Sequence, residues 1–90
     1  MNKNELKGMF KNLKVGDTLY NLKIEGLNQV ETDAVLQELA RRNCLQFEIR
    51  IDSGSFIYEV VKPSKKFLNK EGQWKIPHSK KVDEFLKDME

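Results

Sequence analysis

The chain has 90 residues, 39% of them hydrophobic and 33% charged, with 16 Lys+Arg against 14 Asp+Glu and a formal net charge of +2. That composition suits one small core and is too apolar and too balanced for a wholly disordered chain. No apolar run approaches the ~20 residues of a membrane span. No apolar stretch follows Met1–Glu5 to make a secretory signal. The single Cys excludes an internal disulfide framework, and one His with one Cys is too few for the usual protein-only zinc site. The expectation is a cytoplasmic domain with no cofactor, no metal and no membrane partner.

Charge is unevenly spread. Lys3, Lys7, Lys11 and Lys14 against Glu5 make residues 1–14 locally +3. Residues 17–59 are −4, residues 62–81 are +6 with seven lysines against Glu71, and the last nine residues are −3. A basic arm therefore flanks each side of an acidic middle.

The first segment predicts a helix. Leu6, Met9, Phe10 and Leu13 form one apolar stripe, Asn2 or Asn4 can cap it, and Gly16 can end it. Next, Tyr20, Leu22 and Ile24 alternate with Asn21, Lys23 and Glu25, which predicts a short strand over residues 18–22. Residues 23–27 fit either a continued strand or one helical turn, with Gly26 able to stop both.

Asn28 with Glu31 three residues on has the form of a capping box. The helix it opens, residues 29–43, places Val35, Leu36, Leu39 and Ala40 on one side. Val30, Ala34, Gln37, Glu38 and Arg41 lie on the other, an expected contact surface. Then Leu45, Phe47, Ile49 and Ile51 alternate strictly with Gln46, Glu48, Arg50 and Asp52. After the turn at Asp52-Ser53-Gly54-Ser55, Phe56, Tyr58 and Val60 resume the alternation. This predicts a β-hairpin over residues 45–61. A two-residue loop pairs Ile51 with Phe56, Ile49 with Tyr58 and Phe47 with Val60 on one face, expected to be buried. It also opposes Glu48 to Glu59, with Arg50 near enough to relieve the repulsion.

Pro63 ends the hairpin. Asn69–Gly72 has turn chemistry, which allows a second small hairpin in the lysine-rich stretch. Ser79 caps a last helix striped by Val82, Phe85, Leu86 and Met89. The division expected is residues 1–62 as the core and residues 63–90 as a basic loop and a helix packed on the same domain.

From Leu6 to Lys62, about two thirds of the chain, this order of elements resembles a winged helix-turn-helix domain. The likeness rests on element order and spacing, because that family has no strict motif. It departs from the family at residues 23–27, too short and β-like for a clear second helix. The fold class expected is α+β, winged-helix-like, an α-β-(α)-α-β-β core with an added C-terminal helix; a plain α+β domain with the same elements is the alternative. The resemblance makes residues 29–43 the recognition helix and the hairpin the wing.

It also implies a small regulator of transcription that reads duplex DNA. Gln29, Gln37 and Arg41 then match the base readers. Arg42, Arg50, Lys62, Lys65 and Lys66 match the phosphate partners, and Ser53 lies at a tip small enough to approach a backbone. Against this, the helix is itself −1, since Glu31, Asp33 and Glu38 outnumber Arg41 and Arg42. The alternative is a non-catalytic protein–protein interaction module, an inhibitor or adaptor, on the same scaffold. Val82, Phe85, Leu86 and Met89 can cover their own domain or form a homodimer interface.

Other constellations carry less. His78 stands alone with no nucleophile placed beside it. Cys44 is expected to pack as a small apolar group. Gly54 and Gly72 are turn glycines rather than a phosphate loop. Glu48, Asp52 and Glu59 share a hairpin without further chemistry, so no enzyme is expected. Phe67 and Trp74 among lysines can stack on single-stranded bases or pin a loop to the core.

Overall fold

A computed structural model describes residues 1–65, 71 and 79–89. Among them are three helices and a three-stranded antiparallel sheet, an α+β architecture. In chain order these are α1 (Lys3–Asn12), β1 (Thr18–Tyr20), α2 (Gln29–Arg42), β2 (Gln46–Asp52), β3 (Ser55–Val61) and α3 (Lys80–Asp88). The sheet order is β1-β3-β2, so β3 is central and β2 is an edge. Phe67, Trp74, His78 and the turn expected at Asn69–Gly72 fall outside or only partly within the described residues.

The helix starts follow the sequence. In α1 the Asn2 side chain accepts from the Glu5 N–H at 2.9 Å, and Glu5 reaches back to the Asn2 N–H at 3.3 Å. In α2 the same reciprocal box joins Asn28 and Glu31, at 2.8 and 2.9 Å. Ser79 caps α3 by accepting from the Val82 N–H. Each box satisfies amides that the first helical turn leaves without partners. The end of α1 differs from expectation: Leu13 is already extended, and Gly16 (φ +99°) serves the turn into β1 instead.

Residue pairing in the hairpin is the one the alternation predicts, including Ile51 with Phe56, Ile49 with Tyr58, Phe47 with Val60 and Glu48 with Glu59. Ser53 and Gly54, at φ +51° and +81°, form a two-residue loop with both central residues left-handed, which matches strand twist. Arg50 lies 3.2 Å from Glu59 and offsets the opposed carboxylates.

β1 is shorter than expected because Asn21 turns left-handed at φ +50°. Its N–H still donates to the Phe56 carbonyl at 2.8 Å, while its side chain accepts from the Phe56 N–H at 2.9 Å. The twist shifts the alternation by one residue. Leu19 packs on the core and Tyr20 is exposed, whereas Leu22 and Ile24 beyond the twist face inward. Residues 23–27 form a single turn, closed by Leu27 N–H to the Ile24 carbonyl, and not a helix.

The core joins Leu6, Ile24, Val35, Leu36, Leu39, Ala40, Phe47, Tyr58, Val60, Val82 and Leu86. Phe47 is its hinge, edge-on to Phe10 of α1 at 6.0 Å and to Tyr58 of β3 at 5.9 Å. Val82 and Leu86 of α3 lie inside this cluster, with Phe85 and Met89 partly buried against it. Much of the C-terminal stripe is thus covered by its own chain, with Val82 and Leu86 buried and Phe85 and Met89 keeping part of their surface open. Lys3 holds α3 to α1, 2.8 Å from Asp88 and 5.2 Å from the Phe85 ring centre.

Candidate functional site

The side of α2 expected to face solvent is mostly buried. Ala34, Gln37 and Glu38 are 3%, 9% and 6% exposed. Gln37 donates its amide N–H to the Phe47 carbonyl at 2.8 Å and accepts from the Phe47 N–H at 3.1 Å. A side chain thereby stands where a neighbouring strand would, so Gln37 has no free amide edge for a base. Its expected role as a base reader is corrected to that of a structural amide.

The other two expected readers are also engaged. Gln29 donates to Asp33 at 2.8 Å and to the Tyr58 hydroxyl at 2.7 Å, while that hydroxyl donates to Asp33 at 2.6 Å. Burial, with the Asp33 carboxylate beside it, pushes the Tyr58 phenol well above its ordinary range. Arg41 forms a two-bond pair with Glu38, and Arg42 lies 3.4 Å from the same carboxylate. The Arg41 hydrogen bond, partly opposed by burial, holds Glu38 below its usual value, and Glu38 raises Arg41 in return.

Arg50, Ser53, Lys62 and Lys65 are exposed, and Lys66 lies outside the described residues. Ser53 bonds Asp52 at the hairpin tip, 3.3 Å apart. Of the expected phosphate partners, Arg50 lies on the hairpin, Lys62 and Lys65 at the strand exit and the exposed Arg42 on α2, while the half-buried Arg41 is turned into its pair with Glu38. The three base readers expected on α2 are thus all engaged within the chain.

Cys44 differs from expectation as well. It is exposed and left-handed at φ +59°, one residue past the α2 cap. Its N–H donates to the Arg41 carbonyl at 3.0 Å, and the Leu45 N–H donates to Ala40 at 2.8 Å. Those two bonds close the helix end in the manner usually given to glycine.

The hairpin face expected to be buried is buried only near its base, which corrects that expectation for Ile49 and Ile51. Ile51 is 67% exposed, Ile49 37% and Val30 66%. The isoleucines share the face of buried Phe47, yet the hairpin projects beyond the helices that cover its base. Alternation marks the face but carries no signal of where the covering helices stop. Among the described residues no cluster of His, Cys, Asp and Glu is arranged to hold a metal ion, and no helix is long and apolar enough to cross a membrane. Compared with known proteins, the chain matches no family model, no curated protein and no solved structure.

Proposed function

We propose that this chain is a non-catalytic protein–protein interaction module on a winged-helix-like scaffold, with the wing as its docking end. The order α-β-α-β-β with sheet order β1-β3-β2 supports the scaffold, with the second helix reduced to a turn. The observation that carries the reading is the inversion of polarity between helix and wing. The polar face of α2 is bonded internally through Gln37 and Phe47, while Ile49 and Ile51 stand in solvent. Exposed apolar groups gain from burial against another protein, at ~25 cal/mol per Å², whereas duplex recognition needs open polar edges.

A second reading, a regulator that holds duplex DNA, is favoured by the exposed Arg50, Lys62 and Lys65. Without open base readers it would act through phosphates alone. The test is crosslinking in nuclease-treated extract with the wild-type chain and Ile51→Asp, beside a gel-shift titration on random duplex at two salt concentrations. The protein-binding reading expects a crosslinked protein that the variant loses, and no shifted duplex at low salt. A salt-steep shift weakened by Lys62→Ala with Lys65→Ala, and no crosslinked protein, would replace it with the second reading.

A further inference from the structure

Among the described residues, β2 presents an open edge of fixed length. In β3, Phe56 and Val60 turn their backbone groups toward β1: the Phe56 carbonyl accepts from Asn21, and Val60 bonds both Gly16 and Asp17. Successive residues alternate, so residues 55, 57, 59 and 61 turn toward β2. Their partners are Asp52, Arg50, Glu48 and Gln46. Phe47, Ile49 and Ile51 therefore direct their N–H and C=O groups away from the sheet. Those of Phe47 are closed by the Gln37 amide. Among the described residues nothing bonds the outward groups of Ile49 and Ile51.

Among the described residues this edge is protected only by the charges of Glu48, Arg50 and Asp52. Strands exposed in this way are commonly blunted by charged side chains, lysine above all, or by a proline, a bulge or a covering loop. Pairing here is continuous from Gln46 to Asp52, with neither Pro nor Lys in the strand and with every residue from Glu48 to Asp52 exposed.

The charges choose between occupants. In a two-fold pairing with a second copy, the register that uses all four open groups sets Ile49 against the copy's Ile51. It then opposes Arg50 to Arg50 and Glu48 to Asp52, like charges directly across. Centring the axis on Ile49 leaves only its own two bonds, because Gln37 occupies the next position. Centring it on Ile51 sets Ile49 against Ser53, in the turn, and again leaves two.

We infer that the β2 edge takes an extended segment of a partner protein as an added strand, anchored on Ile49 and Ile51 and stopped at Phe47 by Gln37. The chemistry of that segment follows from the edge: an acidic residue across from Arg50, apolar residues across from both isoleucines, and basic residues across from Glu48 and Asp52. The pattern is basic–apolar–acidic–apolar–basic. Main-chain bonds supply the attachment and the alternate side chains the selectivity. This rests on the protein-binding reading and adds its mode and partner chemistry.

The test is an NMR titration of the full chain with the capped peptide Thr-Lys-Val-Glu-Val-Lys-Thr. Two controls are the same peptide N-methylated at both valines and a charge-reversed Thr-Glu-Val-Lys-Val-Glu-Thr. The expected result is saturable shifts centred on the Ile49 and Ile51 amides, with affinity at least tenfold weaker for either control. Ile51→Pro removes an outward N–H that the hairpin does not use, and Ile51→Lys adds an edge charge; both are expected to keep the circular dichroism spectrum and lose the shifts. Equal binding of the N-methylated peptide, or no shift at Ile49 and Ile51 at millimolar peptide, overturns strand addition. An Ile51-dependent protein crosslink would then still stand for the broader reading.

Discussion

The outer side of α2 and the far half of the β2–β3 hairpin exchange the surroundings that their residues suggest. Gln37 and Glu38 are buried, whereas Ile49 and Ile51 are in solvent. Polarity governs what burial costs, and position in the fold governs whether it happens. Gln37 is tolerated inside because both its amide atoms meet the Phe47 backbone, and Glu38 because Arg41 and Arg42 meet its carboxylate. Ile51 stays outside because the helices end before the hairpin does.

The largest effect expected separates two residues of one strand. Phe47→Ala removes the ring that joins α1, β2 and β3 and is expected to cost about 3–5 kcal/mol. Ile51→Ala, on the same face, is expected to stay within ~0.5 kcal/mol of wild type. Urea denaturation of both measures the gap, and similar losses would mean that the hairpin tip is packed.

Gln37→Ala comes next. It leaves the N–H and C=O of Phe47 without partners, at a cost of roughly 1–3 kcal/mol for an unsatisfied buried group. Equilibrium unfolding reads this directly, and a change below ~0.5 kcal/mol would show that the amide pair contributes little. At the junction of helix and wing, Cys44→Gly relieves a left-handed non-glycine residue. It is expected to add about 1 kcal/mol, or roughly 4–8 °C in Tm. A fall in Tm would show that Cys44 packs in a way its exposure does not suggest.

The smallest effect is pH-dependent. Glu38 has a lowered value in the folded chain, chiefly through Arg41. Its contribution is therefore present above the unfolded carboxylate value near ~4.3 and is lost as pH falls through the lower folded value. The partners are partly exposed, so at most ~1 kcal/mol is expected. Arg41→Ala should flatten that acid limb in thermal melts taken across it, and an unchanged limb would assign it to other carboxylates.

The sequence showed the hairpin register because strict alternation and a Ser-Gly turn leave few pairings that keep Phe47, Tyr58 and Val60 together. The capping box at Asn28 was equally local and equally readable, whereas for α1 the sequence left the cap open between Asn2 and Asn4. The Asn21 twist was not, because a left-handed asparagine has no distinctive pattern and shifts the alternation around it by a single position. Gln37 was hidden for another reason: its partner is backbone ten residues away, and backbone is the same in every sequence. The open edge of β2 was hidden likewise, since it depends on which strand ends up in the middle of the sheet.

Amide hydrogen exchange in the free chain, followed by NMR at Phe47, Ile49 and Ile51, tests the central geometry most directly. The account predicts slow exchange at Phe47, where Gln37 accepts, slow exchange at Glu48 and Arg50, bonded to β3, and fast exchange at Ile49 and Ile51. Protection of Ile49 and Ile51, or fast exchange at Phe47 beside a stable hairpin, would contradict it.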